Sequence, residues 1–319
     1  MALLHVLSAQ QFLNDQDLER LLNLSMEMEQ DIKKGKAKPV LAGKILGTLF
    51  YEPSTRTRFS FESAMLRLGG NVISSESAGS FSSAVKGESI EDTIRVMNAY
   101  CDAIVIRHPE NGTAQRAANV STIPIINAGD GAGEHPTQAL LDTYTIWREK
   151  KNLDGLEIAF VGDLKFGRTV HSLLQILMLQ KDVKMHFISP KELSLPAQYV
   201  HLLHQKNIAF TQKNNIQEIP AGADVIYMTR VQKERFATPE GYLKVKDSCI
   251  LTNEIMQKMG SETIIMHPLP RVNEIATEID ADPRAAYFRQ AENGLYVRMA
   301  LLQLLFEKKS LEQEPLQHK

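Results

Sequence analysis

The chain is poor in cysteine, and this scarcity excludes whole classes of protein. Only Cys101 and Cys249 occur among 319 residues, which is too few for a disulfide framework. Neither cysteine stands at a spacing typical of metal ligands. Each lies at the edge of an apolar run, so we expect two buried structural thiols.

Excess charge and long apolar runs are missing as well. The formal net charge is −2, so nothing in the overall charge balance argues for nucleic acid or an anionic membrane as a partner. No apolar stretch reaches the roughly 18–20 residues that span a bilayer. The segment Met1–Leu7 lacks the basic flank and the long apolar region of a secretory signal. We therefore expect a cytoplasmic protein that contacts neither membrane nor nucleic acid.

Strand-like and helix-like segments alternate along the chain, which predicts an α/β fold. The length of 319 residues favours two domains, because single cores stop growing at roughly 250–300 residues. Short β-branched runs such as Cys101–Arg107 and Ile123–Asn127 suit strands that are buried on both faces. We predict two parallel sheets with helices on both faces, joined by a long interdomain helix, Pro136–Lys151, and closed by a C-terminal helix, Gly294–Lys308.

Cations and hydrogen-bond donors collect where the predicted strands end. Open parallel sheets bind ligands beyond the carboxyl ends of their strands, so the residues at these positions indicate what kind of ligand the protein binds. In a chain that is slightly acidic overall, they predict a local anion site. The residues at these positions are Ser54, Thr55, Arg56, Thr57, Arg107, His108, His135, Gln138, Lys165, Arg168, Arg230, Gln232 and His267–Arg271.

The run Ser54-Thr55-Arg56-Thr57-Arg58 is the sharpest of these features. It stands at a predicted helix start, where free backbone N–H groups and the positive end of the helix dipole favour a phosphate. Hydroxyl and guanidinium groups add charge-assisted hydrogen bonds to an oxyanion. The alternative is a capped helix with a solvated basic turn. The chain contains no G-x-x-x-x-G-K-[ST] sequence, so the run is not a Walker loop.

Other strand-end residues suggest a second ligand. Arg168 and Arg230 each have the planar fork that grips a carboxylate with two hydrogen bonds, which together predict a dianionic ligand. Surface ion pairs are the alternative. His135 precedes a predicted helix and is suited to polarise a carbonyl group, unless it is a satisfied structural histidine. The stiff run Met266–Pro270 is suited to hold backbone carbonyls in fixed directions, and one of its X–Pro bonds is a candidate for the cis form.

At these residues the sequence resembles the catalytic chains of aspartate carbamoyltransferases, within the aspartate/ornithine carbamoyltransferase superfamily. Seven segments match in family order and with intact spacing. They are Ser54–Arg58, Lys86–Glu88, Arg107–Pro109, His135–Gln138, Gly162–Thr169, Met228–Arg235 and His267–Arg271.

The resemblance implies two ligand-binding domains. Residues 1–136, with 293–319 packing back on them, would bind carbamoyl phosphate, and residues 137–292 would bind aspartate. The residues implied for carbamoyl phosphate are Ser54, Thr55, Arg56, Thr57, Arg107, His135, Gln138, Pro268 and Leu269, with Ser82 and Lys86 from a neighbouring subunit. Those implied for catalysis are Arg56, Thr57, Arg107 and His135, and those for aspartate are Lys86, Arg168, Arg230, Gln232 and Leu269.

The resemblance also implies how the protein assembles and reacts. Sites completed by a neighbour's Lys86 require a homotrimer, although Lys86 taken alone would be read as a solvated loop charge. The implied reaction is carbamoyl transfer to L-aspartate in pyrimidine biosynthesis, without metal or other cofactor. Glu52 and Arg235 resemble partners of Arg168 in the closed state. Some family members bind a zinc-bearing regulatory chain, and Phe166 stands where some carry tyrosine.

Three alternatives are weaker. A non-catalytic scaffold is disfavoured by the completeness of the anion-site residues. Ornithine carbamoyltransferases share the first motif, but they carry cysteine where Pro268 stands and lack the pair Arg230 and Gln232. A nucleotide-binding oxidoreductase would need a G-x-G-x-x-G turn, which Gly162–Thr169 does not provide. Such an enzyme would also carry a ribose-binding acid after the following strand, where Ser189 and Pro190 stand instead.

Overall fold

The computed structural model describes residues 5–12, 15–76, 87–131, 133–236 and 238–313. The chain forms two compact units, the first made of Met1–Leu141 with Asn293–Lys319 and the second of Asp142–Glu292. It passes from one unit to the other inside the helix Pro136–Lys150 and returns inside the helix Tyr287–Gln313.

The first unit is built on a four-stranded parallel sheet. Its strands are β1 (Ile45–Phe50), β2 (Asn71–Glu76), β3 (Ala103–His108) and β4 (Ile125–Asp130), in the order β2-β1-β3-β4. The residues of β4 are all buried, whereas the edge strand β2 is half exposed or exposed. The helices that begin in this unit are α1 (Asp15–Lys33), α2 (Thr55–Arg67), α3 (Ile90–Met97), α4 (Thr113–Val120) and α5 (Pro136–Lys150).

The second unit contains a five-stranded parallel sheet. Its strands are β5 (Glu157–Val161), β6 (Lys184–Ile188), β7 (Ala209–Lys213), β8 (Val225–Met228) and β9 (Ile264–Met266), in the order β7-β6-β5-β8-β9. Its helices are α6 (Arg168–Leu177), α7 (Ala197–Gln205), α8 (Pro239–Val245), α9 (Asn253–Met256) and the start of α10 (Tyr287–Gln313). Short 3-10 helices lie at Ala9–Phe12, Lys191–Leu193, Ile216–Glu218, Lys233–Arg235 and Thr277–Ala281.

Each sheet is covered by apolar side chains that form its core. In the first unit, Ile104 and Ile106 of β3 pack with Ile94 of α3 and Ala117 of α4. The core of the second unit combines strand residues with those of α9 and the segments around it. This core includes Ala159, Val161, Ile226, Met228, Ile255, Met256, Ile265, Ile275 and Tyr287. The predicted α/β class with two parallel sheets is therefore confirmed.

Several local predictions are also confirmed, and one helix boundary is not. Cys101 and Cys249 are free, buried thiols, and burial raises the pKa of Cys101 to about 11. The bond between Leu269 and Pro270 is cis. The C-terminal helix begins at Tyr287 rather than at Gly294. Gly294 lies inside this helix, where an added Cβ would meet the guanidinium of Arg298. Every helix of the described residues is too short or too polar to cross a membrane.

The order of the strands creates one crevice site in each sheet. Chain connections leave β1 and β3 toward opposite edges of the first sheet, and they leave β5 and β8 toward opposite edges of the second. Ligands of open parallel sheets bind at such switch points, beyond the carboxyl ends of the two strands. The loops after β1 and β3, and those after β5 and β8, are therefore the expected ligand-binding positions.

Candidate active site

The loop after β1 leads directly into the N-terminus of α2. Ser54 is the residue that caps this helix, yet its side chain makes no capping hydrogen bond. The first turn of α2 contains no acidic residue that would neutralise the positive end of the helix dipole. Thr57 is buried, while Thr55 and Arg56 are exposed. This helix start is therefore better suited to receive an anion than to act as a self-capped turn.

Arg58 has a different role from the four residues before it. Its guanidinium lies 2.8 Å from the Glu76 carboxylate of β2 and 3.8 Å from that of Glu62. It also stands over the ring of Phe59. These contacts hold α2 against the edge strand β2 and compensate the charge of Arg58, although its buried Nε also has no partner among the described residues.

Arg107, near the end of β3, is a buried cation with spare hydrogen-bonding capacity. Only 8% of the residue is exposed. One terminal nitrogen donates to the Ala128 carbonyl at 3.2 Å, and the other lies 3.3 Å from the Glu52 carboxylate. Its buried Nε has no hydrogen-bond partner among the described residues. Burial lowers the pKa of Arg107, and Glu52 partly restores it.

Pairing of the strands places Arg107 beside the loop that enters α2. Arg107 is aligned with Phe50, the last residue of β1, and its carbonyl accepts a hydrogen bond from the Tyr51 N–H at 2.8 Å. The buried guanidinium and the start of α2 thus belong to the same switch point of the first sheet. A cation that lacks a full set of partners at this position favours a ligand with negative oxygen atoms.

His135 is held in a loop that is fastened at both ends. The Asp130 carboxylate accepts from the N–H groups of Gly112 at 2.9 Å and Glu134 at 3.2 Å. Glu134 in turn accepts from the Ser8 hydroxyl at 2.8 Å and from the Ala9 N–H at 2.9 Å.

His135 itself is buried, with 5% of its surface exposed, directly before α5. Its carbonyl accepts from the N–H of Gln138 at 3.0 Å, and the first turn of α5 carries no acid. Gln138, in that first turn, is half-buried. The sequence indicated both residues but not the anchors Asp130 and Glu134, because these act only through contacts that folding creates.

The second switch point brings together the loops after β5 and β8. Arg168 is the first residue of α6, and Arg230 stands two residues after β8. Gln232 donates its side-chain amide to the Phe166 carbonyl at 3.0 Å, which ties one loop to the other. Gly162, at φ +110°, allows the close approach, since a side chain there would overlap the Thr229 carbonyl. The two predicted carboxylate-binding arginines therefore belong to one edge of one sheet.

Asp163 is a site residue that sequence reasoning missed. It is fully buried, and its carboxylate accepts from the N–H of Phe166 at 2.9 Å and from that of Gln232 at 3.4 Å. Burial raises its pKa, while these N–H groups and the charge of Arg230 act in the opposite direction. Its position directly after a strand and inside a matching motif was the available signal.

Pro268 and Leu269 lie in the turn after β9, in the second unit. Ser82 and Lys86 lie outside the described residues. No group of three or more His, Cys, Asp or Glu side chains suited to a metal ion occurs in the described part of the chain.

Two family models together match most of the chain. Residues 4–148 match the carbamoyl-phosphate-binding domain of aspartate/ornithine carbamoyltransferases, and residues 154–305 match the Asp/Orn-binding domain of the same family. The chain belongs to the aspartate/ornithine carbamoyltransferase family. The resemblance inferred from the seven matching segments is thereby confirmed.

Relatives within the aspartate/ornithine carbamoyltransferase family are similar over nearly the whole chain. The catalytic subunit of M. jannaschii aspartate transcarbamoylase is 49% identical, with a TM-score of 0.90 over 98% of this chain and 100% of that one. Aspartate transcarbamoylase of Trypanosoma cruzi, solved with carbamoyl phosphate and aspartate, is 41% identical, with a TM-score of 0.88 over 94% and 95% of the two chains. The multifunctional protein pyr1-3 of Dictyostelium discoideum is 52% identical over 95% of this chain, which spans only 13% of that protein.

The buried Asp163 predicts a definite pH dependence of stability. Because burial raises its pKa, the folded chain binds this proton more tightly than the unfolded chain does. Stability from this group is therefore lost as the pH rises from the ordinary aspartate pKa through the raised one. In Asp163→Asn the loss is absent, so urea unfolding should show the wild type falling relative to the variant as pH increases. A relative gain by the wild type over that window would mean that Arg230 and the N–H groups outweigh burial.

Proposed function

We propose that the chain is the catalytic chain of an aspartate carbamoyltransferase. It transfers the carbamoyl group of carbamoyl phosphate to the amine of L-aspartate, giving N-carbamoyl-L-aspartate and phosphate for pyrimidine biosynthesis. The observation that carries the proposal is the buried Arg107 beside the uncapped start of α2. Residues 1–136 with 293–319 bind carbamoyl phosphate, and residues 137–292 bind aspartate.

The phosphate of the first substrate binds at the switch point of the first sheet. Ser54, Thr55, Arg56 and Thr57 supply hydroxyl, N–H and guanidinium donors at the positive end of α2, and Arg107 supplies a buried charge. A phosphate dianion satisfies the Arg107 Nε that no described residue satisfies. Because the anion is enclosed by fixed donors, little reorganisation accompanies the reaction.

The carbamoyl group is activated by three donors. Thr57, Arg107 and His135 address its carbonyl oxygen, so they stabilise the oxyanion that forms when the carbonyl carbon becomes tetrahedral. Gln138 and the backbone carbonyls of Pro268 and Leu269 hold the amide group. The rigid anchoring of the His135 loop by Asp130 and Glu134 supports such positioning, which contributes only if the donors keep their directions.

Aspartate binds through its two carboxylates at the switch point of the second sheet. Arg168, Arg230 and Gln232 are the donors, and Asp163 positions the loops that carry them. The guanidinium fork matches a carboxylate bidentately, and two such groups suit a dicarboxylate. Ornithine has a cationic side chain where aspartate has its second carboxylate, so the same residues reject it.

The reaction itself needs few participants. The neutral α-amine of aspartate attacks the carbonyl carbon, and a C–N bond forms. The tetrahedral intermediate then breaks its C–O bond to phosphate, and the leaving phosphate takes the proton from the amine. Arg56, Thr57, Arg107 and His135 act throughout by charge and position. Exclusion of water strengthens these interactions, because their electrostatic energy rises as the local dielectric constant falls.

We also propose a homotrimer in which Ser82 and Lys86 complete a neighbour's site. Support comes from the outer face of α2 and from the edge strand β2. Phe59 and Leu66, two turns apart on one face of α2, are 53% and 59% exposed, and Ile73 of β2 is 40% exposed. Such apolar surface beside a helix that begins at the phosphate site favours a second copy of the chain as its cover.

The two cysteines bear on the cellular compartment of the protein. We propose a cytoplasmic location, because Cys101 and Cys249 are free, buried thiols of the kind that reducing compartments maintain. A zinc-bearing regulatory chain remains a prediction of the family resemblance.

Acceptor specificity tests the proposed function. With carbamoyl phosphate, the protein should release phosphate when L-aspartate is the acceptor and not when L-ornithine is. In Arg168→Lys the KM for aspartate should rise by about tenfold or more, because one bidentate, charge-assisted contact is lost.

The matched control for this test is Arg289→Lys. Arg289 pairs with Glu149 on the surface of the same unit, so its KM for aspartate should equal that of the wild type. Release of phosphate with ornithine alone would defeat the proposal.

Mixing two inactive variants tests the shared sites. Lys86→Gln removes the residue that a chain contributes to its neighbour's site, and Arg107→Met removes a residue of the chain's own site. Each mixed trimer should therefore contain one intact site out of three. Random reassembly of equal amounts should restore about a quarter of the wild-type activity. If the mixture stays inactive while ultracentrifugation reports trimers, Lys86 does not act across subunits.

A further inference from the structure

The turn after β9 contains a buried histidine to which the proposed reaction assigns no role. His267 directly follows β9 and is 1% exposed. Its Nδ1 lies 2.8 Å from the backbone nitrogen of Leu269, and its Nε2 lies 2.7 Å from the Glu274 carboxylate. Because a backbone N–H only donates, Nδ1 must accept. The proton of the ring is then on Nε2, where it is donated to Glu274, so His267 is the neutral Nε2–H tautomer.

Glu274 is an equally buried partner, 4% exposed. Its second carboxylate oxygen accepts from the N–H groups of Val272 and Asn273, each at 3.1 Å. The carboxylate thus gathers donors from both ends of the segment 267–273.

The ring is also anchored from the side of the core. The backbone N–H of His267 donates to Gln290 at 2.8 Å, and the amide of Gln290 donates to Asp142 at 2.6 Å. Asp142 accepts a second bond, from the Tyr227 hydroxyl, at 2.6 Å. The exposure of Gln290, Asp142 and Tyr227 is 1% or less, so the chain of bonds is shielded from water. Such a network fixes the position of His267 more firmly than packing alone does.

The turn that His267 holds has an unusual conformation. Leu269 has a φ of +52°, in the left-handed region that side chains other than glycine adopt at a cost of roughly 1–2 kcal/mol. Such conformations persist where surrounding contacts over-determine them, and they cluster at functional sites. The contact here is the bond from the Leu269 N–H to His267, which fixes the plane of the peptide between Pro268 and Leu269.

We propose that His267, backed by Glu274, is a positioning residue for the carbamoyl group. By accepting from the Leu269 N–H, it fixes the peptide plane that contains the Pro268 carbonyl and so the position of Leu269, whose own carbonyl lies in the next peptide. These two carbonyls receive the N–H groups of the carbamoyl amide. His267 touches no substrate, and it acts only through the direction of these two carbonyls. The inference rests on the proposed carbamoyl transfer, since that reaction gives the two carbonyls their task.

Two substitutions separate the hydrogen bond of Nδ1 to Leu269 from that of Nε2 to Glu274. The Oδ1 of His267→Asn stands where Nδ1 was and can still accept from Leu269. The side chain of His267→Gln reaches Glu274 but leaves the Leu269 N–H without its acceptor. We expect the KM for carbamoyl phosphate to rise by about tenfold in His267→Gln and to stay within about threefold of the wild type in His267→Asn.

Thr263→Val is the matched control for a merely structural loss. It removes one buried hydrogen bond of the same unit, from the Thr263 hydroxyl to the Ala223 carbonyl at 2.7 Å, away from the turn. It should lower the free energy of unfolding without changing the KM for carbamoyl phosphate. If His267→Gln and Thr263→Val shift this KM equally, or if His267→Asn is as impaired as His267→Gln, the positioning role is overturned.

Nitrogen NMR of the wild-type protein tests the tautomer without relying on activity or on a variant that folds. The resonances of His267 should report a protonated Nε2 and an unprotonated, hydrogen-bonded Nδ1 at neutral pH. A proton on Nδ1 would overturn the proposal. A wild-type chain with this tautomer but without carbamoyl transfer would contradict the proposed function instead, so the two failures are distinguishable.

Discussion

Burial of the Arg107 guanidinium is the constraint on which the active site depends. A cation with 8% exposure is costly unless partners compensate it, and its described contacts are one backbone carbonyl and the half-exposed carboxylate of Glu52. The buried Nε stays without a partner among the described residues. We propose that this unused hydrogen-bonding capacity of Arg107 serves a bound anion. In the proposed function, Ser54–Thr57 at the start of α2 complete the same anion site.

The two parallel sheets explain why a few loop residues are enough to form each proposed ligand site. Each sheet changes the direction of its connections once, between β1 and β3 and between β5 and β8. The loops that follow these strands therefore lie close together at the carboxyl ends of the strands. In the proposed function, the donors to phosphate lie at one switch point and the donors to the aspartate carboxylates at the other. Buried carboxylates such as Asp130 and Asp163 then fasten the loops, so that the donors keep their directions without a ligand.

Much of this arrangement could be predicted from the sequence, because its signals are local. β-branched runs indicated strands, and the residues after them indicated the anion site. What could not be predicted is the set of contacts between residues far apart in the chain. Glu52 beside Arg107, Glu134 beside Ser8, and Gln290 beside His267 depend on register and packing that no periodicity reports. The start of the last helix was wrongly predicted at Gly294, because this glycine lies inside the helix, beside the Arg298 side chain.

The central claim is that the buried Arg107 is kept for an anion. Its most direct test measures two properties of Arg107→Met, the affinity for inorganic phosphate and the free energy of unfolding. If the buried cation is kept for an anion, the variant should bind phosphate about 100-fold more weakly or worse in calorimetric titration. Without ligand it should unfold in urea at a free energy equal to or above that of the wild type, because a desolvated charge has been removed and Glu52 can turn to water. Arg116→Met, at an exposed ion pair of the same unit, should leave binding unchanged. A stability loss in Arg107→Met with undiminished phosphate binding would make Arg107 a structural residue and contradict the account.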